Sequence, residues 1–135
     1  MNLDKTDRAI LQALLEDSRA SQRELSRIVG VAQGTITNRL KKLESQNIIQ
    51  GYSVVLDPES VGWSMTIMAG LRIAKGKMID VQQKIAADPR VFSVYDVTGD
   101  WDSMVLARVR DRADLDNLTK TVFTLEGVTR SFTHV

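Results

Sequence analysis

The spacing of apolar residues changes once along this chain, and that change dictates two structural units. From Leu3 to Gln46 apolar residues recur at helical spacing, in three blocks separated by short polar breaks. From Trp63 to Ile73 they alternate strictly: Trp63, Met65, Ile67, Ala69, Leu71 and Ile73 are interleaved with Ser64, Thr66, Met68, Gly70 and Arg72. That is the period of a strand with one face on a core. Asp57-Pro58-Glu59-Ser60 lies between the two patterns, and Pro58 keeps Asp57 out of helical geometry. The boundary is therefore placed after residue 58, giving units 1–58 and 59–135.

The first block opens at Asp4 as N-cap, with Asp7 three positions on, and carries Ile10, Leu11, Leu14 and Leu15 on its inner face. The second opens with Ser21-Gln22-Arg23-Glu24, a capping-box signature, and buries Leu25, Ile28 and Val29. Gly30 supplies a turn, and a third helix presents Ile36, Leu40 and Leu43 at i, i+4, i+7. Ile48 to Leu56 is rich in β-branched residues and predicts a wing or connecting strand. Beyond the boundary the pattern predicts a strand to Ile73, a helix from about Met78 to Ala87, and strands over Val91–Thr98 and Asp102–Val109. A longer helix from Asp111 to about Leu125 and a last strand from Val128 to Val135 follow. The expected fold is α+β: an N-terminal winged helix-turn-helix followed by a ferredoxin-like βαββαβ domain.

Charge placement points to a polyanion. Lys and Arg number 18 against 17 Asp and Glu, so attraction to DNA must come from a local patch. Between Ser18 and Gln46 there are six basic residues against two acidic ones, whereas residues 59–135 hold ten of each sign. The excess sits where a phosphate footprint is needed. On a helical wheel with Ile36, Leu40 and Leu43 inward, the opposite arc holds Gly34, Asn38, Lys41 and Ser45, with Thr37 and Lys42 on its shoulders. Asn can pair with adenine, Thr can meet a base edge or a thymine methyl, and Lys can reach guanine or phosphate. With Gln33 near the helix start, and Ser21, Gln22, Thr35 and Arg39 beside this arc, these residues form the expected DNA-binding set. The competing reading of the same arc is a solvated polar face.

Gly99-Asp100-Trp101-Asp102 joins two strands, as any hairpin turn would. Its two carboxylates and indole also suit a ligand's ammonium group, by ion pairing and cation–π contact. His134, the single His, lies in the last strand and suits a structural role. No Ser/His/Asp set, clustered metal ligands or Gly-rich phosphate loop is present, so neither catalysis nor a cofactor is expected. With no Cys and no apolar run near the roughly 18 to 20 residues that span a bilayer, the expectation is a soluble cytoplasmic protein.

Taken in order, these residues resemble the Lrp/AsnC (leucine-responsive/asparagine-responsive, feast-famine) family of transcriptional regulators. The resemblance rests on Leu3-Asp4, Asp7, Ile10-Leu11 and Leu14; on Ser18-Arg19-Ala20-Ser21 with Glu24-Leu25; and on Val29-Gly30-Val31 and Thr35-Ile36. It continues through Arg39-Leu40, Leu43-Glu44, Ile48-Ile49-Gln50-Gly51-Tyr52, Leu56-Asp57-Pro58, Val61-Gly62, Thr98-Gly99 and Trp101-Asp102. Ala32 stands where the family often has a capping Ser, and Trp101 where Tyr is frequent. The resemblance implies binding of double-stranded DNA and a homodimer formed through the sheets, with dimers assembling into larger rings such as octamers. It also implies an amino-acid effector bound near the Gly99–Asp102 loop at contacts between dimers. Two other classes stay open: an architectural DNA-binding protein that senses nothing, and an enzyme, since haem-pathway decarboxylases share the arrangement. The basic third helix and the lone terminal His disfavour the latter.

Overall fold

The computed structural model describes residues 2–135, which divide into two compact units with the boundary between Val55 and Leu56. The first unit is three helices: α1 (Lys5–Glu16), α2 (Gln22–Val29) and α3 (Gln33–Ser45). Ile10, Ala13, Leu25, Ile36, Leu40 and Leu43 form its core. Leu11, Leu14 and Val29 are only half-buried, and Leu15 and Ile28, both expected inside, are 82% and 57% exposed. Three short helices have too little interior to cover every apolar position, so residues at the stripe's edge remain in water.

The reciprocal capping box forms at α1 and not at α2. Asp4 accepts from the Asp7 amide and Asp7 from the Asp4 amide, at 2.8 and 3.1 Å. At α2 the Ser21 hydroxyl accepts from the Glu24 amide and donates to the Glu24 carboxylate, so only half of the expected box is made. Gly30 ends α2 in the left-handed region, at φ 80°, where its missing Cβ removes the steric penalty. Ala32 begins α3 with no side-chain cap. The expected wing does not form as a strand: residues 50–57 take part in no pairing, and Val54 and Val55 are largely exposed. β-branched composition alone cannot make a strand whose amides and carbonyls meet no neighbouring ladder.

The second unit starts with a single 3-10 turn, Glu59–Val61, and continues as β1 (Met65–Ile73), α4 (Met78–Ala86), β2 (Val91–Asp96), β3 (Ser103–Val109), α5 (Arg112–Thr121) and β4 (Val128–His134). The strands form one antiparallel sheet in the order β2-β3-β1-β4, the ferredoxin-like arrangement. Asp111 caps α5 by accepting from the Asp114 amide, but the helix ends at Thr121, short of the expected Leu125. Ile67, Ala69, Leu71 and Ile73 of β1 pack with Val105, Ala107 and Val109 of β3 against Val81 and Ile85 of α4 and Leu118, Val122 and Phe123 at the end of α5. Burying each large aliphatic side chain in such a core stabilises by about 1.5–3 kcal/mol.

Arg90, just before β2, ties this unit's edge together. Its guanidinium reaches Asp88 at 2.8 and 3.0 Å, Asp114 at 2.9 Å and Asn117 at 3.0 Å. The Arg90 hydrogen bond holds the Asp88 carboxyl below its ordinary range.

The sheet's other face carries no helix. Its positions, set by register, are Thr66, Met68, Gly70 and Arg72 on β1, Met104, Leu106 and Arg108 on β3, Tyr95 on β2, and Arg130, Phe132 and His134 on β4. The Trp101 ring lies on β1 at Gly70, where a Cβ would come within 2.6–2.9 Å of the indole. Phe132 flanks the ring at a centroid separation of 6.2 Å, and the Arg130 guanidinium lies 5.6 Å from its centroid. Gly70→Ala is therefore expected to push the indole off the strand at a cost of about 1–3 kcal/mol. Urea unfolding should show the loss, and in a Trp63→Phe background the remaining emission should shift as Trp101 becomes wetter.

Candidate nucleic-acid interface and effector loop

Along Gln33–Leu43 there is no carboxylate. Gln33, Gly34, Asn38, Lys41 and Lys42 are exposed, and Thr35 and Thr37 are half-buried. The buried side of the helix is held by Ile36, Leu40 and Leu43, so the polar arc is turned to solvent by packing and not by chance. Thr37 donates to the Gln22 side chain and to the Gln33 carbonyl, the latter at 3.1 Å. Two expected DNA contacts from different helices are thereby latched together across the turn. Ser21 and Gln22 are exposed at the start of α2. Gly34 has open space around it: nothing lies within 4 Å of where a Cβ would stand.

Arg39 has partners within the chain. Its guanidinium turns back to α1, 2.5 Å from Asp4 and 3.0 Å from Asp7, and is not free on the outer arc. Charge counting along the sequence misses this because Asp4 and Asp7 are 35 and 32 residues away. Tyr52 makes a link that local sequence pattern does not signal: its hydroxyl donates to Glu44 at 3.2 Å, joining the segment after α3 to that helix.

The loop between β2 and β3 has Gly99 at φ 102°, a left-handed conformation that favours glycine. Its four expected effector residues divide by role. Asp102 is used by the fold: its carboxylate accepts from the Ile73 amide at 2.9 Å, and its own amide donates to the Leu71 carbonyl at 2.9 Å. Trp101 rests on the sheet, half-buried, while Gly99 and Asp100 are exposed. Beneath the loop, Gln82 donates to Asp96 and to the buried Ser103 hydroxyl, at 2.5 and 3.1 Å. His134, exposed near the end of β4, meets Phe132 with ring centroids 4.7 Å apart and the planes tilted by 54°. Among the described residues no cluster of His, Cys, Asp or Glu could hold a metal ion, and no helix is long and apolar enough to cross a membrane.

A family model for winged helix-turn-helix DNA-binding matches residues 3–50, and one for the Lrp/AsnC ligand binding domain matches residues 66–135. An HTH-type transcriptional regulator of Pyrococcus horikoshii is 44% identical over 100% of this chain and 91% of its own length. Among solved structures, a Neisseria meningitidis transcriptional regulator in complex with L-Met superposes with a TM-score of 0.86 at 30% identity, covering 98% of this chain and 88% of that one. The leucine response regulatory protein of Mycobacterium tuberculosis gives a TM-score of 0.86 at 27% identity, covering 98% and 92%. With a helix-turn-helix unit at one end and a ligand-binding α+β unit at the other, the chain belongs to the Lrp/AsnC family of transcriptional regulators.

Proposed function

We propose that the chain reads specific sequences in duplex DNA with the outer arc of α3, and that an amino acid bound beside the Gly99–Asp102 loop modulates this through subunit assembly. Residues 1–58 serve DNA binding and residues 59–135 sensing and assembly, in the cytoplasm and with no catalytic step. The observation that carries the reading is the exposed, carboxylate-free surface of Gln33, Gly34, Asn38, Lys41 and Lys42 on a helix whose opposite side is core. Ser21, Gln22, Thr35 and Thr37 border it.

Support for assembly comes from the helix-free sheet face, where Met68, Tyr95 and Phe132 are each about half exposed. Met68, Leu106 and Phe132 make an apolar centre, with Arg72 and Arg130 at one end and Arg108 at the other, which is the anatomy of a protein interface. A second copy laid on this face gives the homodimer, and dimers joined further give rings such as octamers. The effector class is supported by the L-Met complex of the Neisseria relative. In this loop Asp100 is the carboxylate left free for an ammonium group, since Asp102 is occupied by the Ile73 amide.

Replacing Lys41 and Lys42 with Ala should weaken binding to all duplexes and reduce the salt slope by about 0.9 for each phosphate no longer neutralised. An unchanged slope would place the DNA surface elsewhere. Gly34→Ala should act with opposite signs on two measurements. It should raise the melting temperature, since Ala is favoured over Gly in a helix by up to about 1 kcal/mol and the site has room. It should also lower DNA affinity, because the added methyl holds the helix away from the groove; a variant that melts higher and binds equally well would sink the close-approach role. For assembly, sedimentation should give a dimer or larger that Leu106→Lys dissociates. Thermal-shift screening of the twenty amino acids should yield a ligand that changes the assembled mass. Retention of that ligand by Asp100→Asn and Asp102→Asn alike would reduce the loop to a turn.

A further inference from the structure

Arg39 lies between Asn38 and Lys41 on α3 in an otherwise basic stretch, the setting of a phosphate contact. Its surroundings indicate a different task. The two carboxylates it meets are those of the α1 capping box, and their four oxygens are fully assigned. One Asp4 oxygen accepts from the Asp7 amide and the other from Arg39; one Asp7 oxygen accepts from the Asp4 amide and the other from Arg39. Asp7 is 2% exposed, one of only two buried polar residues among the described residues. A buried carboxylate demands a cation, and Arg39 is the one within reach. The Arg39 hydrogen bond, helped by the Asp7 amide, holds the Asp4 carboxyl down at about 2. A depressed carboxyl contributes stability above its unfolded value near 3.8 that is lost only as pH falls toward 2, so the ion pair is closed at neutral pH.

The geometry matters because of where Arg39 stands on the helix. Ile36, Leu40 and Leu43 hold α3 against the core, but apolar packing is non-directional and leaves some freedom to roll about the helix axis. A guanidinium fixed to two carboxylates at the start of another helix removes that freedom. Asn38 is its immediate neighbour and Lys41 lies two positions on, so a roll of α3 would re-aim both. We propose that Arg39 is a positioning residue that fixes the roll of α3 through Asp4 and Asp7, and is not itself a phosphate ligand. This rests on the reading that α3 contacts DNA.

The two roles predict opposite signs. If Arg39 held phosphate, nearby carboxylates would repel DNA, and removing one would tighten binding. If Arg39 positions the helix, removing a carboxylate loosens its hold and weakens binding. The experiment measures affinity for duplex DNA against salt in the full chain for Arg39→Gln, Arg39→Lys, Asp7→Asn and Asp4→Asn, with Lys41→Ala/Lys42→Ala alongside. Positioning predicts that Arg39→Gln and Asp7→Asn each lower affinity by about tenfold, the scale of one mis-aimed base contact. The salt slope should stay at the wild-type value, Arg39→Gln combined with Asp7→Asn should be no worse than either alone, and Arg39→Lys should recover part of the loss. Asp4→Asn keeps an N-cap, since Asn caps as well as Asp, and guards against the core variants failing to fold. It should weaken binding in the same direction by a smaller factor. Unchanged or tighter binding in Asp4→Asn, or a salt slope reduced by about one in Arg39→Gln, would overturn the proposal. If the Lys41/Lys42 variant also binds like wild type, it is the DNA role of α3 that fails, which separates the two failures.

Discussion

A four-stranded sheet whose two helices both pack on one side must leave its other side uncovered, and much of this molecule follows from that. The strict alternation in β1 sends Ile67, Ala69, Leu71 and Ile73 to the helices and Met68, Gly70 and Arg72 to the open face. Part of the open face is covered from within the chain. Trp101 reaches over from the β2–β3 loop and lies on Gly70, with Phe132 and Arg130 around it. The loop can be held there because Asp102 exchanges hydrogen bonds with the backbone of Leu71 and Ile73 at the end of the same strand. What remains exposed, around Met68, Leu106 and Phe132, is the area that the proposed homodimer would cover.

In the helical unit the limiting quantity is interior volume. Six buried residues make its core, so polar interactions carry more of the definition than in the sheet unit. They are arranged as links between helices: Arg39 to Asp4 and Asp7, Thr37 to Gln22, and Tyr52 to Glu44 from the segment beyond α3. Each link has one end on α3. Charge in this unit thus divides between Lys41 and Lys42, which have no carboxylate partner among the described residues, and Arg39, which has two. A count of basic residues along the sequence treats all three alike.

That division marks how far the sequence was legible. Element order, the antiparallel sheet, the buried Ile36-Leu40-Leu43 stripe and the Asp111 cap could all be read from periodicity and local capping rules, because their causes lie within a few residues of one another. The misplacements share a different origin. Leu15 and Ile28 are exposed because the helical unit by itself is too small to cover them, Ile48–Leu56 pairs with no strand within the chain, and Arg39 turns to Asp4 and Asp7, more than thirty positions away. Asp102 belongs with these: its place in a turn was visible, but its bond to the Ile73 amide depends on the register between β1 and β3.

The two units also differ in what a ligand could change. On the proposed reading, the outer arc of α3, held by core packing and by the Arg39 ion pairs, offers a few base contacts, each worth roughly 1–3 kcal/mol of discrimination. One copy of such an arc reads only a short half-site, so useful occupancy requires two held at fixed spacing. On the proposed reading, assembly through the sheet unit supplies that spacing, and the free energy of assembly enters the DNA affinity directly. A ligand near Asp100 then needs no contact with the helical unit to act. It need only bind one assembly state better than another, and reciprocity requires DNA to favour that state by the same coupling free energy. Regulation would reside in how many copies stand together, leaving the surface that reads DNA unaltered.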